Sequence, residues 1–518
     1  MNVRHVISRL GLLFIVFSGV MILVAAIFFI LDLLQQHEAG REAQQALLFS
    51  GLIGVAIGLA CWALNRKVKS YIGRREALLL VALSWLIGAV LGALPFFLWA
   101  QISEVPASTQ FAQFIDCYFE AMSGLTTTGA TILSDIESIP RSLLFWRAIT
   151  HWLGGLGIVV LFVAVLPSLG VGGKKMFQVE ATGLSPGGLQ PQIKETARIL
   201  AGIYVGLTAI EVTALTVAGM SFYDALCHTF ATIASGGFST KNASLGYYRD
   251  KPAIDAIVIV FMILAGVNFA LYHQLIKGKT KRVFKDTELR FYLFLIAAAT
   301  ALVYFSLRHD GAPLILTTGE TVEAGPGETL RQSLFTSVAL KTGTGFCTTD
   351  YNPWPFLAHA VIIFLMFTGG CSGSTTGGIK VIRVWIAFKI MIAEIEHAFR
   401  PNVIRPVKVG GNTIDHETKL GIVVFVLGIL ILFALGSVVI MLLEGANPTS
   451  DCDYKTAATA SLATLCTIGP GMAKVGAMEN YGWFSGSSKA VMCILMMLGR
   501  LEIFAIIVLF TPRFWRGD

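Results

Sequence analysis

The sequence predicts an all-α membrane protein in which four tandem helix–pore-loop–helix repeats surround one pore, behind two extra N-terminal transmembrane helices. Three observations predict it. The 518-residue chain is 55% hydrophobic and 14% charged, where a soluble domain carries about 25% charged residues. Apolar stretches able to cross about 30 Å of hydrocarbon recur along its whole length. Between them, a segment too short to cross, ending in a Gly/Thr-rich turn, occurs four times.

Ten apolar stretches qualify as spans: 10–33, 46–64, 76–100, 143–167, 196–220, 254–276, 289–307, 357–368, 418–444 and 488–511. The first follows Arg4, His5 and Arg9, but it is too long for a signal-peptide core and has no small-residue cleavage site, so it reads as retained. Basic residues gather in short connections: Arg66, Lys67, Lys69, Arg74 and Arg75; Lys174 and Lys175; the stretch Lys277–Arg290; the stretch Lys380–Lys408, read as a basic loop; and Arg513 and Arg516. The segment 101–139 instead carries Glu104, Asp116, Glu120, Asp135 and Glu137 and no Lys or Arg. Under the positive-inside rule the basic connections and both termini are cytoplasmic, and 101–139 faces out.

That topology accounts for the net charge of +7 without nucleic acid. The partner implied is a lipid bilayer. The eight cysteines are scattered with no C-x-x-C spacing, which argues against a disulfide framework or a zinc site. With no nucleophile–base pair, metal cluster or phosphate cradle, the chain does not read as an enzyme.

Residues 1–70 hold the two extra helices, and the repeats occupy 71–175, 176–285, 286–410 and 411–518. Their turns are 125–131, 233–239, 342–348 and 467–471; aligned on Gly129, Gly236, Gly345 and Gly469, they are 107, 109 and 124 residues apart. Each follows a short helical segment: 111–125, 223–233, 332–341 and 454–465. At about 1.5 Å per residue these segments enter a bilayer without crossing it, so they must turn back. Irregular backbone at that depth is tolerated where protein or a water-filled cavity surrounds it.

A potassium ion sheds its water where backbone carbonyls replace the shell. Glycine lets the chain turn its carbonyls inward and keeps the axis clear. The residues assigned to that task are Thr127, Thr128 and Gly129; Ala234, Ser235 and Gly236; Gly343, Thr344 and Gly345; and Thr467, Ile468 and Gly469. K+ is then the transported ion. The negative ends of the short helices favour a cation at the same place. Taken singly, such turns also serve helix packing; four in register argue for a pore.

The eighth span breaks into Gly369, Gly370, Cys371, Ser372, Gly373, Ser374, Thr375, Thr376, Gly377 and Gly378. Glycine costs about 1 kcal/mol against alanine within a helix, so this run favours a loop, placed beneath the third turn in the ion path, or else a packing break with no gating role. A phosphate loop is excluded, because Gly378-Ile379-Lys380 stands where Gly-Lys-Ser/Thr is required. Arg500 falls near the middle of the last span, where a charge needs water or a partner. Two readings stand for it: an approach to the loop that repels cations, or an ion pair with Glu211 or Glu502. Glu120 is read as holding its short helix or pairing with Arg147 rather than binding ions.

Several long motifs carry a resemblance: Phe119–Thr131, His228–Asn242 around Gly236–Thr240, Gly369–Arg383, and Gly499–Glu502 followed by Leu509–Trp515. They resemble the signatures of the Trk/Ktr/HKT family of potassium transporters, in its bacterial TrkH branch, and the likeness runs nearly end to end. The two N-terminal helices fit that branch rather than the shorter Ktr subunit. The resemblance implies a bacterial inner-membrane homodimer of two complete pores, docked on a cytoplasmic nucleotide-binding ring of the TrkA type, with no nucleotide bound by this chain itself. It also implies that 369–378 is an intramembrane gating loop faced by Arg500.

Two positions depart from the family pattern: Cys466-Thr467, where two asparagines are usual, and Lys341, where small residues are usual. Lys341 is expected at the outer rim, pointing away from the pore toward water or a carboxylate. The rival class is a secondary cation or solute symporter with broken helices at the midplane. Same-sided basic loops argue against its inverted repeats.

Overall fold

The computed structural model describes residues 1–35, 40–65, 73–164, 189–402, 406–448 and 450–516. Arg66, Lys67, Lys69, Lys174, Lys175 and the end of the span expected to reach 167 lie outside the described residues.

Among the described residues, six helices are long and apolar enough to cross a membrane: α1 (Val3–Gln35), α2 (Arg41–Asn65), α3 (Arg74–Ile102), α6 (Leu189–Val217), α10 (Thr287–Asp310) and α14 (His416–Gly445). α5 (Arg141–Ala164) is another long helix. α1 and α2 meet through small residues, since a Cβ on Gly11 would lie 2.6 Å from the Gly58 carbonyl and one on Gly58 2.7 Å from that of Gly11. Such close backbone approach is how helices associate where no hydrophobic force separates protein from lipid. Large apolar side chains remain exposed on the outside, among them Val16, Val217, Leu442 and Phe356, a surface suited to hydrocarbon rather than water.

Two spans expected to be continuous are broken. The stretch 254–276 is α8 (Pro252–Ala265) and α9 (Phe269–Ile276), bent by 96°. Asn268 starts the second piece by accepting the Ala270 amide on its side chain, an N-cap in mid-span. The stretch 488–511 is α16 (Gly486–Arg500) followed by Phe504–Phe510, bent by 111°, with Glu502 between them in the left-handed region at φ +57°. Arg500 therefore ends a helix instead of lying in the middle of one. The stretch after Lys380, expected as a basic loop, is mostly the helix α13 (Val381–Phe399).

Four short helices point into the protein: α4 (Phe114–Leu125), α7 (Phe222–Ala234), α11 (Pro326–Lys341) and α15 (Tyr454–Leu465). Their first turns are set locally. Ser221 and Asp453 cap α7 and α15 by accepting the amides of Asp224 and Thr456, while α11 opens with Pro326, a residue suited to the first helical position. Two small sheets accompany the helices among the described residues. β1 (Leu314–Leu316) pairs antiparallel with β2 (Thr321–Val322) and β3 (Thr349–Asp350), tying a hairpin to the chain that leaves the third turn, and β4 (Lys408–Val409) pairs with β5 (Asn412–Thr413).

Candidate functional site

Each short helix ends in a turn whose first residue is in the left-handed region: Thr127 at φ +52°, Ser235 at +57°, Gly343 at +67° and Thr467 at +52°. Two residues later each chain is left-handed again, at Gly129 (+81°), Gly237 (+78°), Gly345 (+73°) and Gly469 (+92°). Non-glycine residues held there cost about 1–3 kcal/mol each, and such strain gathers at functional sites.

The four turns close a ring. A Cβ on Gly129 would sit 1.9 Å from the Gly236 carbonyl oxygen, one on Gly237 1.9 Å from that of Thr344, and one on Gly345 1.9 Å from that of Ile468. One on Gly469 would lie 2.8 Å from that of Thr128. Each third-position glycine thus abuts the middle carbonyl of the next turn.

This geometry corrects the second turn by one residue. Its three positions are Ser235, Gly236 and Gly237, not Ala234, Ser235 and Gly236; Ala234 is the last residue of α7. Gly129 to Gly237 and Gly237 to Gly345 are then both 108 residues. The signal lay in the Gly-Phe pair shared by Gly237-Phe238 and Gly345-Phe346. The same four glycines line one cavity of about 430 Å³ on the side where the chain leaves the turns, with Arg147, Glu137, Lys241 and Glu479 also on its wall. At its rim, Asn242 donates to Asp135 Oδ1 at 2.8 Å and holds that carboxyl below its ordinary range.

Behind the ring, every short helix grips the chain leaving its own turn, each with a different side chain. Glu120 accepts from Thr131 Oγ1 and the Ile132 amide, both at 2.9 Å. His228 Nε2 meets Ser239 Oγ at 2.9 Å. Thr348 Oγ1 donates to Gln332 at 2.6 Å, and Thr459 Oγ1 accepts the Met472 amide at 3.0 Å. Glu120 also takes Arg147 Nε at 2.5 Å. Arg147 donates onward to the Ser239 carbonyl and lies 3.4 Å over the Phe238 ring, whose other neighbour is the His151 ring, stacked at 4.0 Å. Beyond the fourth turn Tyr481 donates its hydroxyl to the Gly469 carbonyl at 2.8 Å. Sequence reasoning missed Gly237 and Phe238 although the shared Gly-Phe pair marks them, and it missed His151 and Tyr481 because no local pattern says what a turn packs against.

Residues 369–378 lie against the opposite side of the ring. Thr375 Oγ1 pairs with Ser235 Oγ at 2.9 Å and donates to the Ile233 carbonyl at 3.0 Å. A Cβ on Gly377 would lie 1.9 Å from Thr467 Oγ1. The loop closes on itself where the Gly369 amide meets the Ile379 carbonyl, and its Cys371 amide bonds the Gly266 carbonyl at the break between α8 and α9. Arg500 donates to the Thr375 carbonyl at 2.6 Å. The expected carboxylate partners lie elsewhere: Glu502 takes Arg383 at 2.6 Å, and neither Glu211 oxygen has a hydrogen-bond partner among the described residues. Lys341 overturns its expectation. It is fully buried, not at the outer rim, and donates to the carbonyls of Thr368 and Gly369.

Residues 43–516 match the TrkH family of cation transport proteins. The chain belongs to this family. Over its full length and theirs it is 37% identical to the Trk system potassium uptake proteins TrkH of Salmonella typhimurium and of Escherichia coli K12. The crystal structure of the potassium transporter TrkH from Vibrio parahaemolyticus superposes with a TM-score of 0.83 at 33% identity, covering all of both chains. The TrkH family is one of transporters rather than enzymes, and this member, with six long apolar helices among its described residues, is a multi-pass membrane protein.

Proposed function

We propose that this TrkH-family chain takes up potassium through the ring of four turns, with residues 369–378 as its gate. The observation that carries the reading is the closed ring: three successive residues from each of four turns, left-handed at the first and third, with each glycine against the next turn's carbonyl. No side chain fits at the third position, so backbone oxygen is what a dehydrated cation meets there. Four helix C-termini converge on the same place and add a negative potential within about one turn. Thr127 Oγ1 and Thr467 Oγ1, buried at the loop side of the ring, have no hydrogen-bond partner among the described residues, as suits oxygens that face an ion.

The loop obstructs the other side of the ring, touching the second and fourth turns, which supports a gate. Arg500, buried against Thr375, sets a positive charge beside that exit. Location in a bacterial inner membrane with both termini cytoplasmic, assembly as a homodimer, and docking on a nucleotide-binding ring of the TrkA type belong to the same proposal. They rest on the family and on the potassium uptake named for its relatives.

The test is cation flux into liposomes carrying the purified chain, comparing K+, Rb+, Na+ and Li+, with Gly129→Ser beside the parent. Passage of K+ and Rb+ well ahead of Na+ and Li+, with the gap narrowed by the serine, is the expected result. Flux that is absent, or indifferent to the serine, refutes the ring and returns a symporter mechanism.

A further inference from the structure

Lys341 is the last residue of α11, and of the four short helices only this one carries a basic residue in its last turn. Its ammonium donates to the Thr368 carbonyl at 3.1 Å and the Gly369 carbonyl at 2.8 Å. These residues are where α12 (Phe356–Phe367) gives way to the loop. The last carbonyls of a helix lack intrahelical donors and carry its negative partial charge, so an ammonium is the group suited to hold them. Hydrogen bonds from a charged donor are about twice as strong as neutral ones.

The loop's amides are held from another helix. Glu288 of α10 accepts from the backbone of Ser372 at 2.7 Å and of Ile382 at 3.3 Å. Arg500, from the fourth repeat, takes the Thr375 carbonyl further along. The loop's carbonyls are thus held by Lys341 at its start, by Arg500 at Thr375 and by Lys380 at Thr376, and its amide side by a carboxylate.

We propose that Lys341 is a positioning residue for conduction: a latch by which the third short helix holds the start of the loop against the ring, and which must let go before the loop clears the ion path. The inference rests on the gating role assigned to the loop. Because Lys341 stands four residues before Gly345 on the same chain, the latch also joins the gate directly to the turn above it.

The experiment measures unstimulated Rb+ uptake into liposomes carrying the full-length parent, Lys341→Met or Lys341→Arg, together with thermal melting of each protein in detergent. Lys341→Met is expected to raise uptake by about tenfold, the population shift that follows when one conformation loses a favourable contact. Lys341→Arg, whose guanidinium still donates to carbonyls, is expected to stay within about twofold of the parent. A lysine with a purely structural role lowers the melting temperature of the Met variant without raising uptake, and that result overturns the latch. Uptake in Lys341→Met equal to or below the parent's overturns it too. If Lys341→Met is not recovered folded, Lys341→Gln, neutral but still a donor, is read by the same criteria. Should neither the parent nor any variant pass a monovalent cation, the pore reading itself fails and takes the latch with it; a conducting parent matched by all its Lys341 variants removes the latch alone.

Discussion

The α-carbon of Gly237 faces the carbonyl of Thr344 so closely that any Cβ would stand 1.9 Å from its oxygen. Its neighbour Gly236 is crowded differently, by the His151 ring, whose Nδ1 lies 2.5 Å from the position of a Cβ. Backbone cannot yield as a side chain can, and Gly237 adds a left-handed φ that disfavours alanine by about 1–2 kcal/mol. Gly237→Ala should abolish K+ over Na+ discrimination in liposomes whether or not His151 is shortened. Gly236→Ala should lose it alone and regain much of it in the Gly236→Ala/His151→Ala double variant. Equal rescue of both alanines contradicts a second turn built on Ser235, Gly236 and Gly237.

Arg147 and Glu120 are both buried, and between them they join the exits of the first and second turns. Removing one member of a buried pair leaves an uncompensated charge, at a cost of about 3–5 kcal/mol. Glu120→Gln and Arg147→Met should each melt well below the parent in detergent, and the double variant should melt above the sum of the two losses. Arg147→Lys should recover little, because a lysine cannot both stack on Phe238 and reach Ser239.

Arg500 makes a single hydrogen bond to Thr375, and its Nε and Nη2 have no partner among the described residues. A buried charge so poorly matched is kept for something other than stability. Arg500→Met should raise unstimulated cation flux while melting no lower than the parent. A lowered melting temperature with unchanged flux assigns the arginine to packing instead.

Tyr481 fixes the carbonyl of Gly469 from behind. Losing one neutral hydrogen bond is worth about 1 kcal/mol, or roughly fivefold in an equilibrium ratio. Tyr481→Phe should therefore lower K+ over Na+ preference by about that factor with overall flux retained, measured in mixed-cation uptake.

Much of this was legible in the amino-acid order because it is local. An apolar run of about twenty residues is long enough to cross hydrocarbon; a twelve-residue helix such as Tyr454–Leu465 is not; and five glycines between 369 and 378 do not stay helical. Four recurrences of one plan are enough to imply a ring. What remained depended on residues distant in the chain. The Gly-Phe pair marks Gly237, but that Gly236 must avoid the His151 ring and Gly237 the Thr344 carbonyl is decided only by packing. Continuous apolar stretches hid the breaks at Gly266 and Glu502, because hydropathy does not register a single residue turned left-handed or a capping asparagine. Lys341 read as a surface charge since lysine is rarely buried alone. Its partners, the carbonyls of Thr368 and Gly369, lie more than twenty residues downstream at the end of a different helix, and only packing brings a helix end to an ammonium that can satisfy it.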